Sequence, residues 1–255
     1  VLNGIAQGKG RKKELYEALQ EHYQKQNNVD SIFSLLEQKL EKDELDEKKL
    51  KDDSTYQYLW KYYKETEDYK QQKKLLDLCL RNNTVDLALY KQAEKTLKKE
   101  DRNDFSAQVI QNLQERITQK QKTRNRHYGF LYTENEIAIL ADIYEYTADV
   151  AALFKTVKGN FRLMERYESL LVPEYPAEYL EAYKQHIDRL IEARGRKKYQ
   201  EAVPYVKKVQ EIYTKILKNA ADWKAYITHL RNSNKKLRAL QEELAAITIC
   251  GIDIL

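Results

Sequence analysis

Residues 174–218 read EYPAEYLEAYKQHIDRLIEARGRKKYQEAVPYVKKVQEIYTKILK. Tyr179, Leu180, Tyr183, Ile187, Leu190 and Ile191 recur every three or four positions, so they form one apolar stripe along a helix that Gly195 ends. Tyr199, Ala202, Val203, Val206, Val209, Tyr213, Ile216 and Leu217 repeat that period on a second helix. Two shorter stripes follow, Trp223, Tyr226, Ile227 and Leu230, then Leu237, Leu240 and Leu244 after a break at 232–234. None of these helices can bury its stripe alone. Each must lie against its sequence neighbours, and short connections make those neighbours antiparallel.

The same grammar extends back through the chain. A leader, 1–10, precedes a helix from Arg11 carrying Leu15, Tyr16, Leu19 and Tyr23. Val29, Ile32, Phe33, Leu35, Leu36 and Leu40 follow. A charged connection then holds a weak helix around Leu45 to Leu50. Ser54 is the expected N-cap of a helix bearing Tyr56, Leu59, Trp60 and Tyr63. Its partner bears Tyr69, Leu75, Leu76, Leu78 and Cys79. Val85 to Leu97 and Phe105 to Ile117 supply another pair, with the turn expected at 101–104. A basic bridge, 119–126, leads to Thr133 and Glu136, which have the spacing of a capping box. Ile137, Leu140, Ala141 and Tyr144 follow, then Val150 to Val157, a break at Gly159, and Phe161 to Leu171. Pro204 requires its helix either to start near Glu201 or to kink.

Aligning the residues that open the second helix of each pair, Val29, Tyr69, Phe105, Val150 and Tyr199, gives intervals of roughly 36 to 49 residues, the range of helical-pair repeats. The expectation is an all-α chain, without a sheet: an α-solenoid of about five antiparallel hairpins of the tetratricopeptide or HEAT kind over 11–246, with a subdivision near 119–133. A compact irregular helical domain is the competing architecture. The apolar tail, 247–255, suits three roles: capping the stack, pairing with another chain, or remaining disordered.

Composition agrees. Charged residues make up 33% of the chain, with only 7 Gly and 3 Pro, as helices with solvated outer faces require. The net charge of +5 is too near balance to mark a dedicated nucleic-acid surface. Cys79 and Cys250 lie too far apart in sequence to define a disulfide framework, and there is neither a membrane-length apolar run nor a signal peptide. A start at Val1 rather than Met suggests a piece of a longer cytoplasmic polypeptide.

Residues 137–154 look like a tetratricopeptide-type hairpin, with Tyr144 and Ala152 near the Tyr and Ala positions of that motif. Tyr199 to Val206, Tyr213, Trp223, Tyr226 to Arg231 and Lys236 to Leu244 resemble the helical C-terminal region of bacterial SWIM zinc-finger proteins. That resemblance implies a helical scaffold attached to a zinc finger. The Cys-x-Cys…Cys-x-His ligand pattern of the finger is absent here, so its metal and its binding activity do not carry over.

The chemistry-bearing residues offer little. Cys79, Cys250, His22, His127, His186 and His229 stand singly, without the paired spacing of a zinc site, so no metal or other cofactor is expected. His186 and His229 fall on or beside apolar stripes, as packed helix residues. Gly8 and Gly10 flank Lys9 without the spacing of a phosphate loop. No carboxylate is marked as desolvated for acid–base work, so no catalytic residue is named and the chain is read as a non-enzyme. Most of the 20 tyrosines fall on inward stripes, about three quarters of them by this reading of amphipathic rings. Three basic bridges remain as candidate binding residues: Lys122, Arg124 and Arg126 with Lys120, His127 and Tyr128; Arg194, Arg196, Lys197 and Lys198; and Arg231, Lys235, Lys236 and Arg238. The leading expectation is a scaffold that binds another protein or peptide. The alternative is a nucleic-acid-binding helical module using these bridges, against the plainer role of cations that offset helix C-terminal dipoles. A hydrolase or transferase with an unrecognised site comes third.

Overall fold

The computed structural model describes residues 9–41, 47–122, 134–245 and 247, and these are helical throughout, with no strand among them. Two compact units divide the chain, Val1–Ile143 and Tyr144–Leu255. The first holds α1 (Lys9–Lys25), α2 (Val29–Glu41), a 3-10 turn (Glu47–Asp52), α3 (Ser54–Glu65), α4 (Tyr69–Arg81), α5 (Leu87–Thr96) and α6 (Lys99–Lys122). The boundary falls inside α7 (Glu134–Tyr146). The second unit continues with α8 (Val150–Val157), α9 (Phe161–Arg166), α10 (Glu168–Leu171), α11 (Pro176–Glu192), α12 (Arg196–Glu211), α13 (Ala220–Ser233) and α14 (Arg238–Leu244).

Within the first unit each helix from α1 to α6 packs on the next. Ile32, Leu36, Leu59, Leu75 and Leu76 are fully buried between them. In the second unit α11 and α12 form the most extensive pair, α12 also meets α14, and Trp223, Tyr179, Ile187 and Val206 are buried in the core.

A single turn design recurs. Asn27, Glu67 and Ala148 adopt positive φ of 53°, 54° and 57°, and each is followed by an Asx residue whose side chain accepts from the backbone N–H three residues on: Asn28 from Ser31, Asp68 from Gln71, Asp149 from Ala152. The Asx amide in turn donates to the carbonyl of a tyrosine five residues back, Tyr23, Tyr63 or Tyr144, at 2.9 Å each. The turn thus closes one helix by a Schellman bond and caps the next. Lys218 and Asn219 repeat it with one residue more, since the Asn219 amide reaches back six positions to Tyr213. The added residue lies in a π turn, Ile212–Ile216, that continues α12.

Several expectations need correction. Asp53, not Ser54, caps α3, accepting from the amides of Thr55 and Tyr56 at 2.8 and 3.3 Å. Residues 101–104 are helical, because Glu100 and Asp101 in the first turn of α6 favour its positive end, and Leu97 is the C-cap that ends α5. α12 starts at Arg196 with Pro204 inside it, not near Glu201. Tyr69, in the first turn of α4, is 50% exposed, and Leu170 is also exposed. The π turn shifts the helical phase, so Ile212 and Tyr213 are buried while Ile216 and Leu217 face solvent. Ten of the eighteen described tyrosines are buried, fewer than expected, because Tyr23, Tyr58, Tyr62, Tyr175, Tyr205 and Tyr226 lie half-buried at helix edges. Cys250, Thr133, the leader up to residue 8 and the tail beyond Ile247 lie outside the described residues; Ile247 itself is buried.

Candidate functional site

Alternate helices of the first unit, α2, α4 and α6, line a cleft of about 790 Å³. Helical spacing explains its walls. Phe33 and Glu37 are one turn apart on α2, while Lys73, Asp77 and Arg81 mark successive turns of α4 beside Lys74 and Leu80; Gln108 comes from α6. Lys73 is paired with Asp101 of α6, and that bond holds its ammonium pKa above the usual lysine value. Burial raises the Asp77 carboxyl, against the pull of Lys73 and Arg81. The result is a groove in which Phe33 and Leu80 lie beside charges of both signs.

A buried polar network ties α1, α2 and α3 together. Lys39, 8% exposed, donates to Thr55 Oγ1 at 2.7 Å and to Asp53 at 3.1 Å, and Thr55 donates to Gln20 at 2.8 Å. Each member is satisfied, so the network fixes helix register without an orphaned charge.

The second unit carries a denser cluster. Glu165 on α9 and Glu168 on α10 face Tyr205 and Lys208 on α12, both pairs spaced three residues apart. Lys208 Nζ lies 2.6 Å from Glu168 Oε2 and 3.4 Å from Glu165 Oε1, with its charge 5.3 and 5.5 Å from the ring centres of Tyr183 and Tyr205. Tyr183 donates to the same Glu168 oxygen at 2.5 Å, and Tyr205 donates to Glu165 at 3.0 Å. Burial, with these carboxylate partners, pushes the Tyr205 hydroxyl up to about 12 and Tyr183 higher still. His186 stacks on Phe161 at 4.1 Å and meets Tyr205 edge-on; burial and Arg189 lower its pKa. The phenols donate to the two carboxylates, and the imidazole packs between Phe161 and Tyr205.

The basic bridges are placed as follows. Lys122 is exposed at the end of α6, and Arg124, Arg126, His127 and Tyr128 lie outside the described residues. Lys120 and Arg116 donate to the buried Glu136 at 2.6 and 2.8 Å, so Glu136 serves an interhelix ion pair. Arg194 takes the positive φ of 59° at the α11–α12 turn, and Lys197 is exposed. Arg196 pairs with Glu242 and Glu243 of α14 at 3.2 and 2.9 Å, and Lys198 with Glu201 at 2.6 Å. Arg231 donates to the carbonyls of Leu244 and Ile247. His229 is exposed, contrary to its expected packing, because it falls just outside the Trp223, Ile227 and Leu230 face. Cys79 is buried, and burial raises its thiol pKa. Among the described residues no group of three or more His, Cys, Asp or Glu could hold a metal ion, and no helix is long and apolar enough to cross a membrane.

Comparison with known proteins adds little. No protein-family model matches the chain, and no solved structure matches it. A stretch of 69 residues, 27% of the chain, is 39% identical to the uncharacterized protein YwqB of Bacillus subtilis (strain 168), and it spans 13% of that relative's length.

Proposed function

We propose that the chain is a non-enzymatic helical-repeat scaffold, an α-solenoid of stacked hairpins that binds another protein or peptide in the cytoplasm as part of a larger bacterial protein. The observation that carries this reading is the cleft lined by alternate helices α2, α4 and α6. Stacked hairpins present one helix of each pair on a common face, and such faces recognise extended segments. The recurrent tyrosine–Asx turn supports the repeat, since its copies at Asn28 and Asp68 join helices that pack on each other, α1 on α2 and α3 on α4. On the resemblance of segments within 199–244 to the helical C-terminal region of SWIM zinc-finger proteins, the larger protein is read as one of that kind. The match to a Bacillus subtilis protein is consistent with a bacterial origin.

The pairing of Arg196, Lys198 and Lys120 with carboxylates favours a polypeptide partner over nucleic acid, because these cations already have their counter-charges. Fluorescence anisotropy with duplex DNA and single-stranded RNA across a salt series tests that choice. The expected result is binding no tighter than ordinary non-specific contact, about 10⁻⁴–10⁻⁶ M at physiological salt. Nanomolar binding that weakens steeply with salt would overturn the scaffold reading.

A further inference from the structure

Beside the Lys208 cluster the second unit opens into a pocket of about 230 Å³. At ~30 Å³ per water this holds about eight waters, or one long side chain. Val172, Pro173, Ile212 and Ile216 form an apolar wall, and Glu168 and Glu211 supply carboxylates. The π turn forms one lip. By shifting the helical phase it exposes Ile216 on the rim, and turns of this type frequently occur at functional sites.

The electrostatics give the pocket a sign. Lys208 also borders it, but its ammonium is committed to Glu168, to Glu165 and to two tyrosine faces. Both donors to Glu168, Tyr183 and Lys208, use Oε2, and among the described residues no donor reaches Oε1. Glu211 likewise accepts from Lys215 through Oε1 alone. Three carboxylates, Glu165, Glu168 and Glu211, face two ammonium groups, Lys208 and Lys215, so one formal negative charge is left over. A guest that lays methylenes on the apolar wall and brings a cation to the open oxygens would complete the site.

We infer that this pocket receives a lysine or arginine side chain from a basic segment of a partner protein. The step from side chain to protein rests on the scaffold reading, whereas the cation preference of the pocket does not. Isoleucine methyl NMR of the whole chain tests the preference, with n-pentylammonium, n-pentanol and pentanoate as probes. The ammonium is expected to shift the Ile212 and Ile216 methyls saturably and to bind about tenfold more tightly than the alcohol, the factor for one charge-assisted hydrogen bond. Pentanoate should leave them in place. Glu168→Gln should abolish the advantage of the ammonium. Because that substitution also disturbs Lys208, Glu211→Gln is the second variant and should reduce the same advantage with the Lys208 cluster intact. Equal binding of alcohol and ammonium, or binding of pentanoate, overturns the inference, as does an advantage that survives both substitutions. If the ammonium binds as expected but no polypeptide binds the α2/α4/α6 cleft, the pocket stands and the scaffold reading falls.

Discussion

Lys208 and Glu168 meet at 2.6 Å through the carboxylate oxygen that also accepts the Tyr183 hydroxyl, which joins α10, α11 and α12 at one atom. Replacing the cation leaves Glu165 and Glu168 facing two phenols with no counter-charge. Lys208→Met is expected to destabilise the chain by about 1–2 kcal/mol in urea denaturation, toward the low end for an ion pair with side chains roughly a third exposed. Lys207→Met, on the exposed side of the same helix, should stay within about 0.5 kcal/mol of the parent.

His186 gives the second unit a pH dependence of definite sign. Its surroundings, first burial and then Arg189 and Lys198, outweigh Glu165 and Glu201 and lower its folded pKa below 6.5. The unfolded chain therefore binds the proton more readily, so this contribution to stability is complete above 6.5 and is lost as pH falls through the folded value. His186→Phe, which keeps the stack on Phe161, should lose less stability on acidification than the parent. An identical slope in urea midpoints measured at neutral and mildly acidic pH would contradict this.

Asp53 has two roles in the first unit, capping α3 and neutralising Lys39, whose side chain is 10% exposed. Asp53→Ala removes the cap, worth about 1 kcal/mol, and leaves a nearly buried ammonium with only neutral partners, so the combined loss should reach about 2–4 kcal/mol. Asp53→Asn keeps an N-cap acceptor and should recover roughly the capping share. Equilibrium denaturation of the two variants separates the contributions.

The π turn predicts opposite outcomes for two isoleucines four residues apart in sequence. Ile212 is 2% exposed and Ile216 38%. Ile212→Ala should cost about 2–4 kcal/mol and Ile216→Ala less than about 1. Similar losses at both positions would mean that α12 continues with ordinary α-helical phase.

Much of the fold was legible because the stripes of α2, α4, α8 and α11 are set by apolar spacing, which burial enforces directly. The misplaced features share a cause. Ser54 and Asp53 are both good caps, and only the Lys39 contact and the helix entry favour the aspartate. The acidic 101–104 resembles a turn until the dipole of α6 is considered. Ile216 and Leu217 keep the periodicity of the stripe, but the π turn that moves them outward depends on how Tyr213 and Asn219 close the next turn. The tyrosine–Asx repeat is visible in the sequence as Tyr23–Asn28, Tyr63–Asp68 and Tyr144–Asp149. The Lys208 cluster left only the complementary spacings of Glu165 with Glu168 and Tyr205 with Lys208, and three-dimensional packing alone brings them together.

The scaffold reading stands or falls on what occupies the cleft between α2, α4 and α6. Selection of peptides from a displayed random library on the whole chain, followed by affinity measurement, tests it most directly. The expected result is a recovered set of peptides whose binding drops about tenfold or more when Lys74 and Arg81 are both changed to Glu, with the helical CD spectrum unchanged. Recovery of no peptide, or of peptides indifferent to those two substitutions, would contradict it.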